Sequence, residues 1–351
     1  MSSETRPDFR DLESKGYVVI RSFLGENDLS LIKEDIACNK GVWYESYLVK
    51  IPPRELLTRL LAKFEAVTSS VARETNIQAN FLIGGVYFFT EGGQSFRWHQ
   101  DRESYYVSQT HYHYLNFYIP IIKPCVEKSN LSLIPLDRLR EKSPDIFEKV
   151  LGRGACLIEA KDEKTIFYNE NEGGEYGSIS YDLSDLAETP ELNTGDLLLL
   201  RGDVIHKTQD ADSDRVALSV RFTNGLHKIS KAKLLYGGYK KFTKMLDTPG
   251  YYQSILAYFD ECGVDEMSFQ EFYSEKFSRF CNTCSGSKKD LSKYLILEKL
   301  RQGLFVSVIL VLLGSVRAII GRRMRSLRSV LKTLALAAIS RLPATFRGQV
   351  R

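Results

Sequence analysis

The chain has 351 residues, 43% of them hydrophobic, which is a globular composition with room for one large enzyme domain and a smaller appendage. The six cysteines are sparse and irregularly spaced, and residues 1–17 lack an apolar signal-peptide core, so the sequence predicts a cytoplasmic protein rather than a disulfide-stapled secreted one. The formal net charge of +4 is uneven, because residues 299–351 hold eleven Lys and Arg and no Asp or Glu, which leaves −7 for the rest.

The predicted elements begin with a strand and a helix. Residues 16–20 form an apolar run that ends in three β-branched residues, and residues 27–36 follow a helical pattern with Asn27 as the expected N-cap. A second helix is predicted over residues 53–76. Eight short β-rich segments bounded by turns follow, at residues 79–90, 111–122, 130–135, 154–160, 165–169, 177–183, 196–200 and 215–222. So many short strands without alternating helices predict a β-sandwich or closed barrel, and the pattern after Gly225 is helical again.

Two histidines and an aspartate form a candidate metal site. His99 and Asp101 are two residues apart, so at a strand end both side chains face the same side. His206 follows an apolar strand and a turn, and sheet closure can bring it opposite this pair. Two histidines and one carboxylate on one face of an iron(II) ion leave three positions for other ligands. Zinc accepts similar ligands, and ligand type alone does not exclude it.

An arginine nine residues beyond His206 points to an anionic ligand. The alternation in residues 215–222 places Arg215, Ala217, Ser219 and Arg221 on one face and four bulky apolar residues on the other. This pattern predicts a packed layer on one side and a roomy polar cavity on the other. A planar guanidinium in that cavity can hold a carboxylate through two parallel hydrogen bonds, and Thr208 can add a hydroxyl donor.

These residues resemble the phytanoyl-CoA dioxygenase family of iron(II)- and 2-oxoglutarate-dependent oxygenases, over roughly the first two thirds of the chain. The resemblance implies a mainly β fold with flanking helices, a double-stranded β-helix of the jelly-roll or cupin type, followed here by a C-terminal helical region. It implies that His99, Asp101 and His206 bind iron and that Arg215 and Thr208 bind 2-oxoglutarate. Asn116 is a further candidate for the 2-oxoglutarate site.

The activity implied by the resemblance is oxidation of a substrate C–H bond by dioxygen, with succinate and carbon dioxide formed from 2-oxoglutarate. Hydroxylation is the expected outcome, with desaturation or ring closure as alternatives. An aromatic-rich cavity favours a small or lipid-like substrate. The alternatives from other classes are a non-catalytic metal-binding jelly-roll module tethered to a membrane, and a membrane-tethered interaction protein whose barrel is a scaffold.

Several residues outside this set have simpler interpretations. His111 and His113 alternate in a predicted aromatic strand, where packing or cavity lining is expected rather than metal binding. Arg221 is too far along its strand to share the carboxylate of Arg215, so a structural ion pair is expected, with substrate contact as the alternative. Cys281 and Cys284 have no second pair to complete a zinc site and are expected to be free thiols.

The C-terminal tail is apolar and basic. Residues 303–316 form an apolar run of only fourteen residues, short of the roughly 20 needed to span a bilayer, and clustered arginines follow it. The sequence thus predicts attachment to a membrane surface through residues 299–351, with a helical cap on the barrel as the alternative. No nucleic-acid partner is expected. The predicted divisions are an oxygenase domain at 1–228, a helical extension at 229–298 and the tail at 299–351.

Overall fold

The computed structural model describes residues 7–39, 42–44, 47–91, 93–151, 156–161, 164–169, 175–235 and 257–274. These residues form a mainly β structure with flanking helices. The strands are β1 (Tyr17–Ile20), β2 (Val42–Tyr44), β3 (Tyr47–Lys50), β4 (Phe81–Phe89), β5 (Leu115–Ile122), β6 (Leu131–Ile134), β7 (Cys156–Lys161), β8 (Lys164–Asn169), β9 (Glu175–Ile179), β10 (Leu197–Arg201), β11 (Ile205–Thr208), β12 (Val216–Thr223), β13 (Lys228–Ser230) and β14 (Glu266–Ser268). The helices are α1 (Asp11–Ser14), α2 (Glu26–Cys38), α3 (Arg54–Glu74), α4 (Arg102–Tyr106), α5 (Leu136–Lys142), α6 (Pro144–Val150), α7 (Lys231–Leu235) and α8 (Phe269–Phe272), with a 3-10 turn at Leu183–Leu186.

A seven-stranded antiparallel sheet is the main layer, in the order β1-β10-β5-β12-β4-β3-β2. The alternation predicted for residues 215–222 is confirmed. Its four apolar residues, Val216, Leu218, Val220 and Phe222, are buried in the core that also contains the apolar residues of α2 and α3. Helix α3 contributes Leu56, Leu60, Phe64, Val67 and Val71, whose helical spacing places them on one face. The other face of β12 is therefore left for the site.

A smaller layer faces the polar side of this sheet. Strands β11 and β6 pair antiparallel, and isolated bridges extend the layer at both edges, from His99 to His206 and from Leu133 to Glu188. A core cluster contains residues from both layers, including Tyr118, Leu198 and Ala217 from the large sheet and Leu131 and Leu133 from β6. An apolar core thus lies between the two layers, and the polar residues of β11 and β12 lie at its edge.

Two helices and a three-stranded sheet cover the outer side of the smaller layer. Ile134 and Ile205 pack in a cluster with buried residues of α5, α6 and the three-stranded sheet β7-β8-β9. Helices α5 and α6 were not expected from the sequence. Pro135 directly precedes α5, and Pro144 is the first residue of α6. Proline is tolerated at these positions because the N–H groups of the first helical turn have no partner within the helix.

Two local predictions are wrong. The N-cap of α2 is Gly25 rather than Asn27, because the side chain of Asp28 accepts a hydrogen bond from the Gly25 N–H at 3.2 Å. The strand predicted from residue 111 begins at Leu115, since residues 111–114 form a turn in which the N–H of Tyr114 bonds the carbonyl of His111 at 3.2 Å. His111 and His113 therefore do not alternate along a strand.

The C-terminal predictions fall mostly outside this description. Residues 7–235 and 264–274 belong to one compact unit, and residues 257–263 belong to a second. Within the described ranges, no helix combines the length and apolar character needed to cross a bilayer. Residues 299–351, with their predicted membrane contact, and Cys281 and Cys284 lie outside the described residues. The divisions at 228 and 298 remain predictions.

Candidate functional site

His99 and His206 lie side by side because two extended segments pair at their positions. The N–H of His99 donates to the carbonyl of His206 at 3.0 Å, and the N–H of His206 donates back to His99 at 2.9 Å. Directly opposed residues on antiparallel segments project to the same face. The two imidazole centroids are accordingly 4.3 Å apart.

Asp101 reaches the same point from the N-terminus of α4. Its backbone is extended at the N-cap position, and its side chain is buried. Asp101 Oδ1 lies 4.0 Å from Nε2 of His206, and one ligand atom from each of the three residues lies within 4.8 Å of the others. Among the described residues these three form the one group of this kind. They are the three residues that the sequence singled out, and the fold brings them together.

Both histidines present the same ring nitrogen to the site. Nδ1 of His99 lies 2.7 Å from the carbonyl oxygen of Arg97, and Nδ1 of His206 lies 3.0 Å from that of Val204. Because a carbonyl can only accept, each Nδ1 carries the proton and each Nε2 keeps its lone pair. This arrangement fixes the tautomer and ring orientation that a metal ligand needs.

The carboxylate of Asp101 is held ionised and oriented by its neighbours. Burial opposes its ionisation, but electrostatic interaction with the neighbouring His206 imidazole and with the Arg221 guanidinium outweighs burial, so the pKa of Asp101 lies below its ordinary value. The side-chain amide of Asn116 donates to Asp101 Oδ2 at 3.2 Å, and Asn116 in turn accepts a hydrogen bond from the Ser219 hydroxyl at 2.7 Å. Oδ1 is the oxygen left to face the histidines.

The turn between β10 and β11 fixes His206 relative to Asp101. Arg201 and Asp203 form a buried ion pair at 2.6 Å across this turn, and the amide of Gln100 donates to the carbonyl of Asp203 at 2.8 Å. A Cβ atom on Gly202 would lie 2.4 Å from the Cβ of Ser104 in α4. Glycine therefore permits a close approach between the turn and the helix that carries Asp101 at its N-cap.

Arg215 is buried at the start of β12 without a counter-ion in the described part of the chain. Its side chain lies over the ring of Tyr118, 5.5 Å from the centroid, and its Nε has no hydrogen-bond partner there. The Tyr118 hydroxyl is buried beside the Arg215 guanidinium, and burial raises the pKa of Tyr118, so its proton remains available to donate. A buried guanidinium is costly unless it is paired, which makes Arg215 a candidate for binding an anion.

Thr208 and Asn116 make hydrogen bonds to residues other than Arg215. Thr208 follows His206 by two residues on the same face of β11 and accepts a hydrogen bond from the N–H of Phe96 at 3.0 Å. In the described residues Thr208 makes no hydrogen bond to Arg215. Asn116 contacts Asp101 instead of Arg215. Tyr118 was missed, although it lies two residues from Asn116 on the same strand and therefore on the same face.

The other histidines are not part of this cluster. His111 is buried and pairs through Nδ1 with the hydroxyl of Ser104, and its ring stacks on Tyr105 with centroids 5.5 Å apart. Nδ1 of His113 accepts a hydrogen bond from the N–H of Gln78 at 3.0 Å. Packing and local hydrogen bonding account for both residues, as expected. The predicted ion pair of Arg221 is also confirmed, with Glu103 as its partner.

The described triad fits an iron(II) ion in donor type and number. No protein-family model matches the chain, and no curated protein matches it. Solved structures similar to it include the epimerase SnoN in complex with Fe3+, alpha ketoglutarate and nogalamycin RO, at 14% identity over 62% of this chain and 83% of that one, with a TM-score of 0.42.

Two further solved structures show a similar level of likeness. One is the non-heme alpha ketoglutarate dependent carbocyclase SnoK from nogalamycin biosynthesis, at 15% identity over 64% of this chain and 85% of that one, with a TM-score of 0.42. The other is a Pseudomonas putida prolyl-4-hydroxylase, at 12% identity over 62% of this chain and 96% of that one, with a TM-score of 0.42. The roles of residues in this chain rest on the geometry of its own site.

Proposed function

We propose that this protein is an iron(II)- and 2-oxoglutarate-dependent oxygenase of the phytanoyl-CoA dioxygenase type, with its site between the two layers of a double-stranded β-helix. His99, Asp101 and His206 hold the iron, and Arg215 holds the distal carboxylate of 2-oxoglutarate. One observation carries the proposal: a two-histidine, one-carboxylate set lies in the same fold interior as a buried arginine for which the described residues supply no counter-ion.

The donor set alone leaves iron and zinc as choices. Three protein ligands with an open side suit an iron site that takes further ligands, and they also suit a catalytic zinc ion with bound water. Arg215 favours iron, because a buried guanidinium without a counter-ion among the described residues matches a dicarboxylic co-substrate that also chelates the metal. A dicarboxylic 2-oxo acid uses both features, since its 2-oxo acid end can chelate the metal and its far carboxylate can pair with Arg215.

Tyr118 is the proposed second donor to that carboxylate. Its hydroxyl lies with Arg215 on the site face of the large sheet, and the high pKa that burial gives it keeps the hydrogen in place. Thr208 is close to the metal ligands on β11 and is proposed as a lining residue of the same cavity, with a hydroxyl hydrogen that its bond from Phe96 leaves free. Asn116 is proposed to orient the carboxylate of Asp101 through its hydrogen bond, rather than to bind 2-oxoglutarate.

Bound iron would supply the activation of dioxygen. In the proposed reaction, dioxygen oxidises both 2-oxoglutarate, to succinate and carbon dioxide, and a C–H bond of a small-molecule substrate. The protein's own residues bind and orient. Asp101 supplies a negative charge and His99 and His206 supply neutral donors in fixed tautomers. The apolar core between the sheets keeps bulk water away from this chemistry. Hydroxylation is the proposed outcome.

Oxygen-dependent release of succinate from 2-oxoglutarate tests this proposal. Purified protein with iron(II), ascorbate and 2-oxoglutarate should form succinate at a slow substrate-independent rate, and His206→Ala should abolish it. His113→Ala is the matched control, since His113 hydrogen-bonds Gln78 outside the triad. Wild-type protein that binds metal but forms no succinate would favour the second candidate, a non-catalytic metal-binding module.

Membrane attachment through residues 299–351 is a separate proposal, and its support is the sequence alone. Eleven Lys and Arg without a single Asp or Glu accompany an apolar run, which suits adsorption to anionic lipid with a lipid-like substrate nearby. Full-length protein should sediment with anionic vesicles at low salt. Protein ending at Lys293 should remain in the supernatant, and sedimentation of both forms would contradict the proposal.

A further inference from the structure

Beside the metal triad, the site face of the large sheet carries a glycine that opens onto free space. Gly84 and Gly85 are neighbours on β4, so they face opposite sides of the sheet. A Cβ on Gly85 would contact Pro52 at 3.1 Å and Leu57 at 3.3 Å on the helical side. A Cβ on Gly84 would meet no atom of the described residues within 4 Å. The described residues therefore leave a position on the inner face of the sheet unfilled.

Arg221 borders this open position. It pairs directly with Gly84 on one side and with Asn116 on the other, and opposed residues on antiparallel strands share a face. Asn116 donates to Asp101, so one strand, β12, separates the open position on β4 from the residue that supports a proposed metal ligand. Arg215 directly precedes β12 and is six residues from Arg221, about 20 Å at the usual strand rise. They cannot hold the same carboxylate.

Glu103 is the ion-pair partner of Arg221 and is much more exposed. Arg221 Nε lies 2.9 Å from Glu103 Oε2, and the side chains are 13% and 52% exposed respectively. A pair with one partner this exposed is held weakly, because water competes for the carboxylate. The hydroxyl of Tyr114 also donates to Glu103 Oε2, at 3.2 Å. A carboxylate from another molecule that replaces Glu103 on the guanidinium can form two parallel hydrogen bonds to Arg221 and can accept from Tyr114 as well.

Aromatic rings connect this position to the metal ligands. The guanidinium of Arg221 lies 5.8 Å from the ring centroid of Phe88, which shares the inner face of β4 with Gly84. Phe88 meets Phe96 edge to face at 5.5 Å, and Phe96 lies 6.0 Å from the ring of His99. An apolar group over these rings would lie between the guanidinium and the metal site.

We propose that Gly84, Phe88 and Arg221 form the substrate subsite of this enzyme, and that it takes a small molecule with an apolar ring or chain and one carboxylate. The carboxylate displaces Glu103 from Arg221, and the apolar part fills the space above Gly84 toward His99. This inference rests on the proposed function, because it names the substrate class of that same site. Arg215 serves the co-substrate and Arg221 serves the substrate.

The test uses full-length protein saturated with manganese(II) and 2-oxoglutarate, and 3-phenylpropanoate as the probe. Manganese(II) broadens the proton signals of a molecule bound near it, so probe binding is measured by nuclear magnetic resonance. Wild-type protein should broaden the signals of 3-phenylpropanoate and leave those of its neutral amide sharp. Gly84→Leu should weaken probe binding at least tenfold with metal and 2-oxoglutarate affinity unchanged. Gly25→Leu is the matched control, since Gly25 also has open space around it.

Two variants that each remove one charge test the inference even if the Gly84→Leu protein does not fold. Arg221→Gln should remove the preference for the carboxylate over the amide. Glu103→Gln should strengthen probe binding severalfold, because it removes the competing anion. A purely structural ion pair would give the opposite sign, so weaker binding in Glu103→Gln overturns the inference. Equal binding of acid and amide to wild-type protein overturns it as well.

Failure of the proposed function would be seen separately. Saturation-transfer measurements detect the probe on metal-free protein, so the subsite can be tested even if manganese(II) or 2-oxoglutarate does not bind. Probe binding that depends on Gly84 and Arg221 without metal binding would contradict the oxygenase and support the subsite. Metal and 2-oxoglutarate binding with no probe bound would support the oxygenase and contradict the subsite.

Discussion

The side-chain amide of Asn116 donates a hydrogen bond to Oδ2 of Asp101 at 3.2 Å. This bond occupies the oxygen that does not face His206 and leaves Oδ1 directed to the site. The hydroxyl of Ser219 donates to the oxygen of the same amide at 2.7 Å, which fixes the amide so that its NH₂ group points to Asp101. Two neighbouring strands thus orient one carboxylate.

Removing this support should weaken metal binding without removing a ligand. Asn116→Leu keeps the side-chain volume and should lower manganese(II) affinity about 10- to 100-fold, the usual cost of losing a group that orients a metal ligand. Ser219→Ala should have a smaller effect. Thr223→Val is the control on the same strand, because its buried hydroxyl has no partner among the described residues. Isothermal titration measures all four affinities, and unchanged affinity in Asn116→Leu would refute the role.

Arg215→Lys should raise the 2-oxoglutarate concentration needed for half-saturation about tenfold or more. Lysine keeps the charge but loses the paired hydrogen bonds, worth roughly 1–3 kcal/mol to a carboxylate. Tyr118→Phe removes one neutral donor and should cost severalfold. Titration of the metal-loaded protein with 2-oxoglutarate measures both effects. If neither variant changes the half-saturation point, another cation holds the carboxylate, and Lys123 is the first to examine, because the charge of Arg215 contributes to its lowered pKa.

Acid should destabilise the fold through His111. Burial lowers the pKa of His111 to about 4, against about 6.5 for an unfolded histidine. The unfolded chain therefore binds a proton that the folded chain does not, and stability falls as the pH drops from about 6.5 to 4, by up to about 3 kcal/mol. His111→Gln should flatten this part of the pH profile in urea unfolding. His227→Gln is the comparison, since burial also lowers the pKa of His227 but this side chain is only partly buried and should contribute less to the slope. A profile as steep in His111→Gln as in the wild type would contradict the assignment.

Gly202→Ala should disturb the turn that joins β10 to β11. The added Cβ would lie 2.4 Å from the Cβ of Ser104, so the turn and α4 must separate. Overpacking of this kind costs about 1–3 kcal/mol. Because the turn leads to His206 and α4 follows Asp101, metal affinity should fall together with the free energy of unfolding. Gly84→Ala is the control, because a Cβ on Gly84 meets no atom of the described residues within 4 Å. A Gly202→Ala protein as stable as the wild type would show that the contact relaxes freely.

The sequence predicted those features that local pattern determines. Alternation along residues 215–222 predicted which residues face the core and which face the site, and the apolar half of that prediction is confirmed by the burial of Val216 and its three partners. The spacing of His99 and Asp101, with a strand and turn leading to His206, predicted which residues the fold brings together. Each of these depends on residues near one another in the chain or on strand periodicity.

The remaining features depend on register between distant strands. Asn116 contacts Asp101, and Arg221 lies between Gly84 and Asn116, only because β4, β12 and β5 pair with one particular register. A shift of one residue would send each of these side chains to the opposite face. The sequence identified Asn116 and Arg221 as polar residues on strands, but it could not show which partner each would meet. Tyr118 could not be identified for the same reason, because its contact with Arg215 depends on the register between β5 and β12.

Metal binding followed by 2-oxoglutarate binding tests the central claim most directly. Cobalt(II) substitutes for iron(II) without reacting, and its visible spectrum reports the ligands around it. The account predicts one cobalt(II) per chain, lost in His99→Ala, Asp101→Ala and His206→Ala, and a spectral change on adding 2-oxoglutarate that needs a much higher concentration in Arg215→Lys. Cobalt(II) binding that survives in any of the three alanine variants, or a spectrum that 2-oxoglutarate leaves unchanged, would contradict it.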